Sequence, residues 1–247
     1  MPPSIRSSVL AAAGRPDRRQ NILLAAEKLF AQHGYHAVSI RQIADEAQVP
    51  LALVGYYFGA KHELYHAIFE HWSATINERL ASLEAAMQEQ GGDRLQRLVE
   101  AFIGPVIRLR ASTEGEYYAL LMTRGLALQS EGEDAIIREF FDPMARAFIE
   151  AFHTTLAAEV PGLPRAEVVW CYQFALGALL HHISDARVHR LSEGQNQPSD
   201  PAAMPRLVAF ITHGMRGAVG RQAVAAASAR APGKSAATAP ARKTSRK

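Results

Sequence analysis

Ile22, Ala25, Ala26, Leu29 and Phe30 recur at the three-and-four spacing of one face of an amphipathic helix. The same rhythm continues through most of the chain. It predicts a first helix over 17–33 that stops at Gly34, where a residue without Cβ turns left-handed at least cost. Ser39, three residues before Gln42, has the spacing at which a hydroxyl and an amide satisfy each other's orphan backbone donors, so it opens a second helix ending near Gln48. Pro50 suits a first helical turn and begins a third helix that reaches about Tyr57. After Gly59 a fourth helix is expected over 61–90, with Leu64, Ile68, Trp72, Ile76 and Leu80 on one face. Further helices are expected over 93–111, 114–129, 131–159, 164–190 and 201–222, with Pro105 and Pro143 kinking or dividing two of them. No run alternates β-branched residues with a period of two, so the fold class is all-α.

Within that pattern VPLALVGYYFGAK, residues 49–61, stands out as too interrupted for a membrane span and too apolar for a solvent-facing helix. Two short helices joined by a tight turn and braced by a preceding helix form a helix-turn-helix unit. There the aliphatic side, Leu53 or Val54 with Phe58, packs a very small domain, while the opposite side and the polar ends face a duplex. The organisation is therefore a disordered arm over 1–16, a three-helix unit over 17–60, and a larger helical domain over 61–222. A disordered basic tail follows over 223–247, since no large apolar residue follows Val224.

Composition changes this picture in three ways. Hydrophobic residues at 48% and charged residues at 21% suit a folded soluble chain with no membrane span, expected in the cytoplasm. The short VLAAAG run near Arg6 falls short of a secretory signal. Eight of the 27 Lys and Arg follow residue 215 and none of the 24 Asp and Glu do, so residues 1–215 carry −5. The net +3 thus belongs to the tail, which is expected to add electrostatic on-rate only. The single cysteine, Cys171, lies in the apolar run VVWCYQFALGALL and reads as a small buried hydrophobe rather than a redox sensor.

VSIRQIADEAQVPLALVGYYFGAKHELYHAIF, with AEKLFAQHGY (26–35) ahead of it, resembles the DNA-binding segment of the tetracycline-repressor family of bacterial regulators. Ser39, Ile43, Ala44, Val49, Tyr56, Phe58, Lys61 and Leu64 carry the likeness, which is specific over about 18–70. The resemblance implies that Ser39 caps the second helix and bonds a phosphate, that Arg41 projects toward the groove, and that Tyr56, Tyr57 and Lys61 meet the backbone. Base-edge positions fall on Pro50, Leu51, Ala52 and Leu53, almost without hydrogen-bonding groups, so Arg41 and Gln42 are left to supply most base discrimination. Two positions depart from the family: Gln48 replaces the usual turn glycine and Gly55 replaces a frequent aromatic.

One such unit reads one half-site, so the resemblance implies a homodimer on a palindromic double-stranded operator, released by a small-molecule effector. Repression is the family default. Ala175, Gly177 and Ala178 on one late helix, with Val208, Ile211 and Met215 on the next, are the expected seam of a four-helix interface. Phe102, Val106, Tyr118, Met122, Trp170 and Phe174, with polar groups such as Arg110, Arg124 or Gln173, are the candidate lining of a pocket for a mainly apolar effector. His181, Asp185 and His189 share i,i+4 spacings that would suit a metal, but hydrogen bonding is the simpler use for them. No metal and no cofactor are therefore expected.

An enzyme is the first rival reading. It has little support, because no phosphate loop, dinucleotide turn, nucleophile elbow or HExxH is present, and Glu63 with His66 forms only one Glu-x-x-His pair. The second rival is a nonspecific nucleic-acid binder acting through its tail.

Overall fold

A computed structural model describes residues 17–112, 115–127, 131–198, 200 and 202–230; the arm over 1–16 and the tail from 231 lie outside the described residues. About the first head, three helices follow in order: α1 (Arg18–His33), α2 (Ile40–Glu46) and α3 (Leu51–Phe58). Asp17 caps α1 by accepting from the backbone N–H of Arg19, and Gly34 closes it at φ 85°. Ile22, Ala26, Phe30, Ile43, Ala44, Val54 and Phe58 are buried, which makes the core of the head.

α4 (Lys61–His71) leads out of the head, and the expected single helix over 61–90 is in fact two. The chain breaks at Trp72 before α5 (Ser73–Gln88). The indole explains the break: it stacks on Tyr118 at 5.1 Å and 14°, while its Nε1 donates to Glu27 Oε2 at 2.7 Å. Two tertiary bonds hold this residue where a straight helix would not take it.

α6 (Arg94–Ala111) continues through Pro105, which does not divide it, and packs on α5. α7 (Glu116–Ala127) lies against both α6 and α1, so the larger domain clasps the head. α8 (Glu131–Ile136) widens into a π turn over Ile137–Phe141 before α9 (Asp142–Glu159). Asp142 N–H donates to the Ile137 carbonyl, and Pro143, which brings no donor, follows at once; this is where the expected helix over 131–159 divides.

α10 (Arg165–Ser184) stops short of 190, with a brief α11 (Val188–Leu191) after it. α12 (Ala203–Arg230) runs past 222, so residues 223–230, expected to be disordered, are helical. Arg216 ties α12 down through Asp93 (Nη1 to Oδ2, 2.6 Å) and Glu159 (Nη2 to Oε1, 2.8 Å). That pairing holds the Asp93 carboxyl below its ordinary range and the Arg216 guanidinium above its own. Among the described residues there is no strand, and no helix is long and apolar enough to cross a membrane.

Candidate nucleic-acid interface and internal cavity

The head presents its polar residues as the spacing predicts. Ser39 caps α2 in a complete capping box: its backbone N–H and hydroxyl both donate to Gln42 Oε1 at 2.8 Å, and its Oγ accepts from Gln42 N–H at 3.3 Å. The amide oxygen of Gln42 is thus engaged locally, leaving its NH2 as a donor. Arg41 is exposed beside it. The turn places Gln48 at φ 55°, the left-handed conformation that glycine takes more cheaply by about 1 kcal/mol.

On α3, Val54 and Phe58 face inward, Leu53 is half-buried against them, and Pro50, Leu51, Ala52, Tyr56 and Tyr57 are exposed. Tyr56 and Tyr57 meet edge-on at 5.2 Å. Lys61, the first residue of α4, holds its ammonium 4.4 Å from the Tyr35 ring centre, and partial burial lowers its pKa. Leu51, Ala52, Tyr56 and Tyr57 are the exposed apolar and aromatic residues of α3.

The six residues proposed for a pocket do not stay together. Phe102, Val106, Tyr118 and Met122 are interior, but Trp170 and Phe174 are 60% and 65% exposed on the outer side of α10. They stack on each other there, 5.9 Å apart, so they line no internal pocket. Thr75, Ile76, Arg79, Pro105, Val106, Leu109, Tyr118, Met122 and Phe141 surround an interior void of about 10 Å³. The residue reading missed Arg79. Its signal was present, because position 79 lies three after Ile76 and four before Leu83, on the buried stripe of α5.

The expected dimer seam also needs correction. Ala175, Val208, Ile211 and Met215 are buried within their own subunit, at 2–4% exposure. Gly177 is exposed and Ala178 half-buried. What α10 and α12 leave uncovered is Trp170, Phe174 and Phe210, beside grooves of about 440 and 250 Å³ lined by Cys171, Ala218 and their neighbours.

The histidine run is broken by the end of α10. Asp185 is its C-cap rather than a helical residue, and its carboxylate is chelated by Arg187 at 2.6 Å, which with the His181 contact at 3.1 Å holds its pKa well down. His189 turns its Nδ1 toward the Asn196 carbonyl instead. The three side chains do not converge.

Comparison with known proteins agrees with this geometry. Residues 22–68 match the bacterial regulatory proteins of the tetR family, and residues 100–214 match the tetracyclin repressor-like C-terminal domain. The HTH-type transcriptional repressor NicS of Pseudomonas putida is 29% identical over 188 residues, 73% of this chain and 82% of that one. The transcriptional activator FasR of Mycolicibacterium smegmatis is 32% identical over 90 residues, 36% of this chain and 40% of its own. Among solved structures, a TetR-family regulator from Bordetella parapertussis has a TM-score of 0.57 at 18% identity, covering 80% of this chain and 95% of that one. The ketosteroid regulator KstR2 of Mycobacterium tuberculosis has a TM-score of 0.56 at 16%, covering 81% and 96%. At such identities the structures speak for the fold, and the sequence matches for the family: the chain belongs to the tetracycline-repressor family of DNA-binding transcriptional regulators.

Proposed function

We propose that this regulator is a homodimeric repressor that reads a palindromic operator and lets go of it when a mainly apolar small molecule enters the interior cavity. The observation that carries the reading is the head itself. A capped two-helix wedge holds its aliphatic side inward and leaves Arg41, Leu51, Ala52, Tyr56 and Tyr57 exposed. Repression rather than activation is favoured by NicS, the relative matched over the greater length.

With Gln42 half committed to its cap, Arg41 is the main donor for base edges, while Lys61 and the tyrosines serve the phosphates. A route for release follows contiguous packing. Tyr118 lines the cavity and stacks on Trp72, which holds Glu27 of α1; Phe141, also on the cavity wall, packs edge-on against Phe69 of α4 at 5.9 Å. A ligand that widens the cavity therefore pushes on the two helices that carry the head, and it shifts the equilibrium by its preference for the wider conformer.

The test is selection of bound sequences from random DNA by the full chain, for which a two-fold symmetric consensus is expected. Arg41→Ala then relaxes one position in each half-site at a cost of about 1–3 kcal/mol. Lys61→Ala weakens all sequences alike and flattens the salt dependence. Recovery of an asymmetric or featureless pool rejects the proposal.

A further inference from the structure

Arg79 is a buried cation of the larger domain, 4% exposed, with no ion-pair partner among the described residues. Its Nη2 donates to the Phe102 carbonyl at 2.9 Å, one turn ahead of Pro105, while its Nε has no hydrogen-bond partner. The guanidinium lies 5.1 Å from the Phe102 ring centre and 5.7 Å from that of Phe148, and ring faces compensate a buried charge only in part. Burial lowers its pKa to about 10, which leaves it charged at neutral pH.

A second donor shares the wall. The Tyr118 hydroxyl is buried, makes no well-formed hydrogen bond beyond a loose approach to Thr75, and burial keeps the phenol neutral with its proton in place. Thr75 directs its own hydroxyl to the Trp72 carbonyl at 2.7 Å. Two residues on the wall of one void thus keep a donor without a well-formed acceptor, Arg79 at Nε and Tyr118 at its hydroxyl, and Arg79 is positive. The rest of the wall is Ile76, Pro105, Val106, Leu109, Met122 and Phe141.

We propose that this cavity takes a small amphipathic monocarboxylate, one ring or a short alkyl chain, with its carboxylate on the guanidinium of Arg79 and the Tyr118 hydroxyl. The assignment rests on the reading of the cavity as the effector site and names the chemistry of that effector. A carboxylate supplies both missing acceptors and the missing charge in one group, and a guanidinium matches it with paired donors. A neutral ketone or amide answers the hydrogen bonds and leaves the charge uncompensated. A phosphate brings a second negative charge that a single cation does not neutralise. The void of about 10 Å³ is too small for any such ligand as it stands, so binding and widening are one event.

The test measures binding directly, by calorimetric titration of the full chain without DNA, using two matched pairs: phenylacetate against phenylacetamide, and octanoate against octanamide. At least one acid is expected to bind about tenfold or more tightly than its amide. Arg79→Met should erase that preference, and Arg79→Lys, which keeps a charge but not the fork, should reduce it severalfold. Acids that bind no better than amides overturn the proposal, as does no binding of either up to millimolar concentration, or a preference that survives Arg79→Met. If Arg79→Met fails to fold, Arg79→Lys decides: an unchanged acid-to-amide ratio overturns the assignment. Because no operator enters the assay, a chain that binds the acids yet selects no DNA refutes the regulator reading alone. A chain that selects a palindrome but ignores charge refutes this one alone.

Discussion

At Glu27 the chain buries a carboxyl group in α1, 1% exposed, where Trp72 Nε1 and the Tyr118 backbone donate to it. Burial outweighs those two hydrogen bonds and raises its pKa from 4.5 to about 7. In the unfolded chain the group ionises near 4.5, so between about 4.5 and 7 the folded state holds the extra proton. Stability therefore falls as pH rises through that window and levels off above it, by about 3 kcal/mol for a shift of this size. Glu27→Gln keeps an acceptor for the indole and removes the charge. Its thermal midpoint should match the parent near pH 4.5 and exceed it increasingly up to pH 8; equal midpoints at pH 8 refute the assignment. The residue pattern pointed to Ile22, Ala25, Ala26, Leu29 and Phe30 as the buried face of α1, and missed Leu23, Glu27 and Ala31. α7 packs against α1 and its Tyr118 backbone donates to Glu27, and one helix's periodicity does not report a neighbour almost 100 residues away in the chain.

Several helix ends with a local cause were readable. The Ser39–Gln42 box, the stop at Gly34 and the left-handed Gln48 all depend on a few adjacent residues, and the sequence displays them. The break at Trp72 and the early end of α10 at Asp185 were not, because each is held by side-chain partners elsewhere in space or just beyond the helix. Pro105 does not divide its helix. Inside a buried helix the surrounding packing holds the ladder together, and the Arg79 guanidinium meets the Phe102 carbonyl in the turn before it. Gly55 gives a test at this scale. It sits inside α3, is exposed, and a Cβ built there meets nothing within 4 Å. Gly55→Ala should then stabilise the head by about 1 kcal/mol through backbone entropy alone. The check is the thermal midpoint of the variant, and a fall instead of a rise contradicts the open space at that position.

The molecule as a whole has an unfinished surface, and the proposed dimer would cover it. Trp170, Phe174 and Phe210 are 60%, 65% and 71% exposed on adjoining helices, with the exposed Gly177, Gly214 and Gly217 allowing another backbone to come close. Large apolar side chains grouped this way, beside grooves of about 440 and 250 Å³, call for a second copy rather than solvent. The sequence periodicity pointed to buried faces of α10 and α12, since Val208, Ile211 and Met215 repeat regularly but serve the subunit's own core. The two sets of residues should respond differently to substitution. Met215→Ala opens a cavity and should cost about 2–5 kcal/mol of fold stability. Phe174→Glu with Phe210→Glu should leave the helical circular dichroism intact and give a monomer in sedimentation. Two heads must lie about 34–36 Å apart to enter successive major grooves, so a monomer grips one half-site only. Its operator affinity should fall on the order of 100-fold or more, because the second head no longer binds at high effective concentration. A double variant that remains dimeric places the seam on some other surface, and one that turns monomeric yet holds the operator as tightly as the parent removes the reason for having two heads.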